Sequence, residues 1–215
     1  MTESVVELLG ALHAERQRTW EPEKLQANID QRRVNVERYD AGRSPKVGDR
    51  LEPFELENVE GGIIRSEDLL KAGPAALVFF RHGGCPACNI ALPYYARNLA
   101  PVLAELGVGL VAVSPQPTAK LRPIQDRHAF AFPVASDPGA ALSRRLGVSF
   151  RSDGPPSASA IEQGLEELDH PAILIVDTDH VVRFIDVTPN WMARTEAGPV
   201  IEAARRVVAR ESVEA

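Results

Sequence analysis

The feature that most constrains this chain is an apolar run followed almost at once by two cysteines. Residues 76–80 read Ala-Leu-Val-Phe-Phe, a short continuous apolar segment typical of a strand that is buried on both faces. The glycines at 83–84 predict a sharp turn. Pro86 is expected to be the first residue of a helix, because it has no N–H to leave unpaired there. A strand is therefore predicted to deliver Cys85 to a helix N-terminus, with Cys88 one turn further along.

These two cysteines are the only ones among the 215 residues. The geometry allows Cys85 and Cys88 to close into a disulfide across one helical turn, which makes a reversible redox switch. We expect Cys85 to be the more exposed and more acidic thiol, since helix N–H groups and the helix dipole stabilise a thiolate. Cys88 would then resolve the mixed disulfide. This dithiol is the redox centre, and neither a bound cofactor nor a metal is expected.

Two structural alternatives compete with this interpretation. The cysteines could be inert core thiols, which is uncommon for a C-x-x-C pair that contains proline and follows two glycines. They could also hold zinc, but such a site needs four ligands, and only His82 and His170 are placed to complete it. Arg81 and His82 lie just before the dithiol, where either cation would favour a thiolate. Both side chains are equally compatible with ordinary surface positions.

Composition limits the cellular setting and the partners. The formal net charge of −6 argues against a nucleic-acid-binding surface. No apolar run has the length of a bilayer-spanning helix, and the N-terminus lacks the pattern of a secretory signal. A single C-x-x-C pair is typical of cytosolic redox chemistry rather than of a secreted, disulfide-stapled domain. The sequence therefore predicts a cytoplasmic protein without nucleic-acid or membrane partners.

The hydrophobic pattern predicts an N-terminal helical arm, residues 1–45, followed by one α/β domain, residues 46–215. Pro22 is expected to open the second helix of the arm. The domain is predicted to contain a β-hairpin at 51–64, a helix at 66–70, a helix at 86–106 kinked by Pro93, a strand at 108–113, a helix at 118–128, a strand at 130–135, a helix at 137–146, a loop at 149–160, a helical turn within 162–168, strands at 172–176 and 181–187, and a last helix from about Thr195.

This order of elements resembles the thioredoxin fold, and in detail the peroxiredoxin-like branch, the alkyl hydroperoxide reductase and thiol-specific antioxidant superfamily. The residues that carry the resemblance are Lys46-Val47-Gly48-Asp49, Phe79-Phe80-Arg81, Cys85-Pro86-Ala87-Cys88-Asn89, Ala135-Ser136-Asp137-Pro138, Pro171–Asp177 and Arg183-Phe184. The resemblance covers roughly residues 46–210. It implies a mixed central sheet with helices on both faces, preceded here by the helical extension and the hairpin.

Departures from the family pattern affect the expected chemistry. Peroxiredoxins carry Pro-x-x-x-Thr-x-x-Cys, and Cys88 is in register with their peroxide-attacking cysteine. Arg81 stands at the place of their proline, and Cys85 at that of their threonine. Pro171 occupies the place of their peroxide-orienting arginine. The resemblance therefore favours a thioredoxin-like dithiol facing a cis His170–Pro171 bond, which would leave the neighbouring backbone free to pair with a substrate.

The first functional hypothesis is a thiol-disulfide oxidoreductase in which Cys85 attacks and Cys88 resolves. The second is a thiol-dependent peroxidase in antioxidant defence, with Cys88 or Cys85 attacking the peroxide. A non-catalytic redox sensor and a zinc-holding interaction module are the alternatives from other classes. The expected partners are a disulfide or peroxide substrate, a thiol reductant such as a thioredoxin system, and a second copy bound through the arm. Trp191 and Met192 are expected to be core or interface residues rather than substrate contacts.

Overall fold

The computed structural model of the protein describes residues 3–151 and 167–214. The helices and strands of these ranges, numbered in chain order, are α1 Val5–Thr19, α2 Pro22–Arg38, β1 Glu55–Asn58, β2 Ile63–Arg65, α3 Ser66–Lys71, β3 Ala75–Phe79, α4 Cys88–Asn98, α5 Ala100–Glu105, β4 Gly109–Ser114, α6 Thr118–His128, β5 Val134–Ser136, α7 Ala141–Arg145, β6 Ser149–Arg151, β7 Glu167–Asp169, β8 Ala172–Val176, β9 Val182–Val187 and α8 Ala197–Glu214. Short 3-10 turns lie at Ala41–Arg43 and Pro138–Ala140.

Within the described ranges, seven strands form one mixed sheet in the order β2-β1-β5-β4-β3-β8-β9. The β3 strand pairs parallel to β4 and antiparallel to β8, so it lies inside the sheet. All five of its residues are buried, as expected for a strand covered on both faces. A separate pair, β6 and β7, lies outside this sheet.

The sheet carries a hydrophobic core on each face. Alternate residues of the β3 run point to opposite faces, so Ala76 and Val78 join one core while Leu77 and Phe79 join the other. The first core also contains buried residues of α1, α4, α5, α6 and α8, and the second contains Leu70 of α3 and Leu142 of α7. The predicted mixed sheet with helices on both faces is confirmed.

The N-terminal arm packs against the domain mainly through its first helix. Val5 and Leu9 of α1 are buried in the first core, close to α4. Glu196, which precedes α8, accepts hydrogen bonds from the hydroxyl of Ser4 and from the backbone N–H groups of Val5 and Val6, at 2.5, 3.3 and 3.2 Å. This carboxylate therefore satisfies donors at the N-terminus of α1 and ties the arm to the start of α8. By contrast, α2 contains no buried residue.

Several predicted boundaries differ from the structure. Pro86 lies in a turn and is exposed, and helix α4 begins at Cys88. Pro93 lies inside α4, and the predicted helix at 86–106 is divided at Leu99, because Pro101 has no N–H for the carbonyl of Arg97. The single predicted helix is therefore two helices, α4 and α5.

Other differences fall after the central strands. The predicted strand at 130–135 is limited to Val134–Ser136, and the predicted helix at 137–146 begins as a 3-10 turn. In the predicted 149–160 loop, Ser149–Arg151 form β6 and pair with β7. Residues 152–160 of that loop and residues 162–166 of the predicted helical turn lie outside the described residues. No helix of the described ranges has the length and apolar character needed to cross a membrane.

Candidate active site

The loop that joins β3 to α4 holds the two cysteines in place. The backbone N–H of Gly83 donates to Oε1 of Gln116 at 2.8 Å, which ties the loop to the segment after β4. Asn89 donates from Nδ2 to the carbonyls of Gly83 and Cys85, at 2.8 and 2.9 Å. The backbone N–H of Asn89 also donates to the Cys85 carbonyl at 3.0 Å. This asparagine therefore fixes the turn that carries the dithiol.

Both cysteines are reduced and buried, with 3% of Cys85 and 0% of Cys88 exposed. The sequence predicts Cys85 to be the more exposed thiol, but at 3% against 0% the two differ little and neither is accessible. Cys88 is the first residue of α4, so it is Cys88 that lies beside the free N–H groups of the helix. Because α4 begins three residues later than Cys85, the sulfur of Cys85 lies in the preceding turn.

The two thiols have opposite pKa shifts. The hydrogen bond from Cys85 to Cys88, together with burial, raises the pKa of Cys85 well above its ordinary value. Burial also tends to raise the pKa of Cys88. The bond from Cys85, the positive charge of Arg194 and the backbone N–H of Arg81 outweigh burial and lower that pKa well below the ordinary value. These directions are opposite to the predicted assignment, and Cys88 rather than Cys85 is the more acidic thiol of the pair.

Arg194 is the cation closest to this thiolate. Its Nη2 donates to Sγ of Cys88 at 3.4 Å, and its Nη1 donates to the carbonyls of Trp191 and Ala193, both at 2.6 Å. The guanidinium is thus held by backbone groups and aimed at the sulfur. Sequence reasoning missed this residue, because the family pattern places an arginine at Pro171. No spacing distinguishes Arg194 among the 24 lysines and arginines of the chain.

A small cavity lies beside Cys88. Its volume is about 10 Å³, which is close to the space that one water molecule needs. Cys88 and Arg194 contribute to its wall, together with Pro171 and Thr188. A space of this size holds about one water molecule and is too small for the side chains of a protein disulfide.

The two predicted supporting residues before the dithiol are both buried. Arg81 is 3% exposed, and its Nε has no hydrogen-bond partner within the described residues. His82 is also buried, and burial is the main cause that lowers its pKa below the ordinary histidine value. His82 is therefore mostly neutral at neutral pH, and Arg194 and Arg81 supply the permanent positive charge. The surface interpretation of Arg81 and His82 is wrong.

The predicted cis bond between His170 and Pro171 is trans, since the described chain contains no cis peptide bond. The carbonyl of Pro171 accepts hydrogen bonds from the backbone N–H and the hydroxyl of Thr188, at 2.7 and 3.0 Å. The backbone N–H of His170 donates to the carbonyl of Val148 at 2.8 Å. These bonds already pair the backbone that the prediction left free for a substrate, so the thioredoxin-like platform is absent.

His170 is enclosed by aromatic rings rather than by the cysteines. Its ring stacks on Phe150 with centroids 4.3 Å apart and meets the ring of Tyr39 edge-on at 5.3 Å. Burial, and secondarily the charge of Arg81, lower its pKa to about 4. His170 is therefore neutral at neutral pH and does not supply a cation to the thiolate.

Residues of the arm and of the loop before α8 cover the dithiol. Arg16 of α1 is 5% exposed, and its charge acts on Cys85. Its Nη1 donates to Sδ of Met192 at 3.5 Å, and its guanidinium lies 5.5 Å from the ring of Trp191. Trp191 and Met192 are buried core residues in this arrangement, as predicted. The arm therefore closes the side of the site on which Cys85 lies.

A metal site at the dithiol finds no support in the described part of the chain. No three side chains among histidine, cysteine, aspartate and glutamate converge there to form a set of metal ligands. The zinc-holding alternative thus has no third ligand within residues 3–151 and 167–214.

The fold and the buried dithiol define the class of thiol-dependent oxidoreductases with a thioredoxin-like fold. The profile of the AhpC/TSA family matches residues 47–185, which is more than half of the chain. The chain therefore belongs to the AhpC/TSA family. This confirms the resemblance on which the fold prediction rested.

Similar proteins are known as sequences and as structures. Two Mycobacterium tuberculosis proteins described as peroxiredoxins, from strains CDC 1551 and H37Rv, are each 30% identical over 103 residues. That match covers 48% of this chain and 66% of each relative. The crystal structure of peroxidoxin BcpB from M. tuberculosis has a TM-score of 0.60 at 24% identity, covering 75% of this chain and 97% of that one. M. tuberculosis AhpC has a TM-score of 0.63 at 15% identity, covering 78% and 96%. At these identities the structures show the common fold alone.

Proposed function

We propose that the protein reduces hydroperoxides with a thiol-dependent mechanism in which Cys88 attacks and Cys85 resolves. The observation that carries the proposal is the environment of Cys88. Its sulfur lies at the start of α4, accepts the hydrogen bond of Cys85 and lies 3.4 Å from Nη2 of Arg194. A buried thiolate with a permanent cation beside it and a water-sized cavity at its side is suited to a small electrophile such as a peroxide.

The chemistry proceeds in three steps. The Cys88 thiolate attacks the terminal oxygen of the hydroperoxide, so an S–O bond forms and the O–O bond breaks. The leaving alkoxide takes up a proton and departs as the alcohol, while Cys88 becomes a sulfenic acid. The Cys85 thiol then attacks the Cys88 sulfur, which forms the disulfide and releases water. Two thiols of a reductant return the pair to its starting state.

Arg194 has two roles in this proposal. Its positive charge keeps Cys88 ionised, and a guanidinium beside the sulfur also stabilises negative charge that develops on the peroxide oxygens as their bond breaks. It supplies the charge that the family pattern would place at Pro171. A separate loop, the one before α8, thus provides the cation in this chain.

Attack of Cys85 on a disulfide, the first hypothesis from the sequence, has less support. Its sulfur is buried, its pKa is raised and the His170–Pro171 bond is trans. A cytoplasmic location, a thioredoxin-like reductant and dimerisation through the arm remain predictions from the sequence. The absence of a bound cofactor is likewise part of the proposal.

The test uses the reduced full-length chain, Cys85→Ser and Cys88→Ser with hydrogen peroxide and cumene hydroperoxide. We expect wild type to consume peroxide with turnover when a dithiol reductant is present. Cys85→Ser should react once, leaving a sulfenic acid that a cyclic diketone traps at Cys88, and Cys88→Ser should be inactive.

Three outcomes would contradict the proposal. A sulfenic acid that forms only in Cys88→Ser would show that Cys85, and not Cys88, attacks the peroxide. Reduction of a model disulfide without peroxide consumption would favour the thiol-disulfide oxidoreductase. One round of oxidation without recycling by any thiol would favour a redox sensor.

A further inference from the structure

A group of cationic side chains lies near the dithiol and has no carboxylate partner among residues 3–151 and 167–214. We call it the arginine–tryptophan cluster, and it consists of Arg16, Arg32 and Arg81 around the ring of Trp191. The three guanidinium carbons lie 5.5, 5.8 and 4.8 Å from the centroid of that ring. They come from α1, α2 and the loop after β3, so the arm and the domain both contribute.

The cluster has an excess of positive charge. Among the ion pairs of residues 3–151 and 167–214, none includes Arg16, Arg32 or Arg81. Glu15 acts electrostatically on Arg16 as its chain neighbour, but forms no ion pair with it. A single thiolate at Cys88 cannot balance these charges together with that of Arg194. Burying guanidinium groups in this state is costly unless an anion joins them.

Aromatic faces hold the arginines without neutralising them. Arg16 lies over the ring of Trp20 at 4.7 Å as well as near Trp191, and Lys24 lies over the ring of Trp20 at 4.5 Å. A cation–π contact positions a guanidinium while leaving its charge and its N–H groups available. The arginine side chains are therefore already in position before an anion binds.

Two buried donors in the cluster have no partner. Nε of Arg81 and Nε1 of Trp191 form no hydrogen bond within the described residues, although these side chains are only 3% and 5% exposed. An unpaired buried N–H is rare because it loses its bond to water without replacement. These two donors belong to side chains that are in contact, since the guanidinium carbon of Arg81 lies 4.8 Å from the centroid of the Trp191 ring.

Arg32 gives the cluster its link to solvent. It is half-buried on α2, a helix without buried residues, and its Nε donates to the carbonyl of Asn28 at 3.3 Å. Arg16 and Arg81 lie deeper, and their charges act on the sulfur of Cys85. The positive charge thus extends from the surface of the arm down to the dithiol.

We propose that the arginine–tryptophan cluster binds the carboxylate of an anionic substrate and thereby directs carboxylate-bearing hydroperoxides to the dithiol. The planar fork of a guanidinium matches the two oxygens of a carboxylate, and the N–H groups of Arg81 and Trp191 supply the further donors. The assignment of the anion to a hydroperoxide substrate rests on the proposed peroxidase function. The anion site itself does not.

A pair of alkylating reagents tests the site without peroxide. Iodoacetate and iodoacetamide react with a thiolate in the same way, forming an S–C bond and releasing iodide, but only iodoacetate carries a carboxylate. The measurement is the ratio of their rate constants on reduced full-length protein. A change in the pKa of Cys88 affects both rates equally, so the ratio reports recognition of the anion alone.

Arg32→Gln is the main variant, and Arg33→Gln is its matched control. Arg33 is the next residue on α2, but it is exposed and paired with Asp30 and Glu37 at 3.6 and 2.8 Å. We expect Arg32→Gln to lower the iodoacetate to iodoacetamide ratio about 3- to 10-fold, as for one charge about 6 Å away at an effective dielectric constant of about 40–80. Arg33→Gln should leave the ratio near the wild-type value.

Arg16→Met is a second variant that keeps the length of the buried side chain. We expect it to lower the ratio at least as much, because Arg16 is buried and its charge acts on the dithiol at Cys85. If Arg16→Met does not fold, the comparison of Arg32→Gln with Arg33→Gln alone decides whether the cluster recognises the carboxylate. An equal ratio in wild type and Arg32→Gln, or an equal fall in both glutamine variants, would overturn the proposal.

A matched substrate pair then tests the assignment to hydroperoxides. Linoleic acid hydroperoxide and its methyl ester differ only in the carboxylate. We expect the ratio of their kcat/KM values, acid to ester, to favour the acid in wild type and to fall in Arg32→Gln. Failure of every peroxide, with the alkylation ratio as expected, would refute the peroxidase but retain the anion site. If both peroxides are turned over but neither the alkylation ratio nor the acid-to-ester ratio differs between wild type and Arg32→Gln, the anion site is refuted and the peroxidase is not.

Discussion

Replacing Arg194 with methionine removes the cation beside Cys88 while keeping most of the volume of the side chain. The guanidinium lies 3.4 Å from the sulfur, inside the range in which an opposite charge lowers a pKa by about 1–3 units. Removing it should raise the pKa of Cys88 by a similar amount. If the new pKa lies above 7, the thiolate fraction at pH 7 falls by up to about 10- to 1000-fold, since each unit is a factor of ten.

The assay is the rate of alkylation by iodoacetamide as a function of pH. It is measured on Cys85→Ser, in which the serine hydroxyl still donates to the sulfur and only Cys88 can react. Adding Arg194→Met should shift the midpoint of the pH profile upward by about 1–3 units. The rate at high pH should recover, because a thiolate forms there without the arginine. Arg205→Met, at an exposed arginine of α8, is the control and should leave the midpoint in place.

Two results would refute this reasoning. An unchanged midpoint in the Arg194→Met variant would mean that the cation does not control ionisation of Cys88. A rate that falls by the same factor at every pH would indicate structural damage, because the carbonyls of Trp191 and Ala193 lose their donor. Arg194→Lys separates these effects, since it restores the charge with fewer hydrogen bonds and should return the midpoint part of the way.

Two further predictions concern stability. Burial, and secondarily the charge of Asp137, raise the pKa of Asp169, and its Oδ2 accepts a hydrogen bond from Ser143 at 3.0 Å. Because a raised carboxyl pKa favours the folded state only at low pH, stability should fall as pH rises from the ordinary aspartate range through this raised value. Asp169→Asn should therefore raise the free energy of unfolding at pH 7 by about 1–2 kcal/mol, with no gain near pH 3.5. Urea unfolding at both pH values measures this, and a less stable variant at pH 7 would contradict it. Glu196→Ala should lower stability by about 1–2 kcal/mol, because the N-terminus of α1 loses its acceptor. Hydrogen exchange should increase first in residues 5–19, and uniform exchange throughout the chain would contradict the local role.

The elements that the sequence predicted best are those in which local pattern and tertiary packing agree. The buried run at 76–80 forms β3 because both faces of the sheet need apolar side chains there. Thr118–His128 is a helix with the predicted bounds. The bounds of α4 could not be predicted from the local pattern. Its start depends on the two hydrogen bonds that Asn89 donates to the carbonyl of Cys85, and its end depends on Pro101.

The site was predictable only as a pair of cysteines. Their relative acidity depends on a helix that begins at Cys88 and on an arginine that is 106 positions away in the sequence. Neither fact follows from the spacing of Cys85 and Cys88. The family pattern even pointed to the wrong place for the arginine, because Pro171 occupies that position here and Arg194 reaches the sulfur from another loop.

The burial of the dithiol sets different requirements for its oxidation and its reduction. Oxidation requires that a peroxide group reach the small cavity at Cys88, a sulfur that is itself 0% exposed. Reduction requires a thiol to attack one sulfur of the Cys85–Cys88 disulfide, and Cys85 lies under Arg16. A small dithiol needs little space for this step, but a protein reductant must displace α1 or the loop that carries Trp191. Forming the disulfide also removes the thiolate charge that partly balances the buried guanidinium of Arg81. Because Arg81 lies 4.8 Å from the ring of Trp191, oxidation weakens one of the interactions that hold the Trp191 loop over the dithiol.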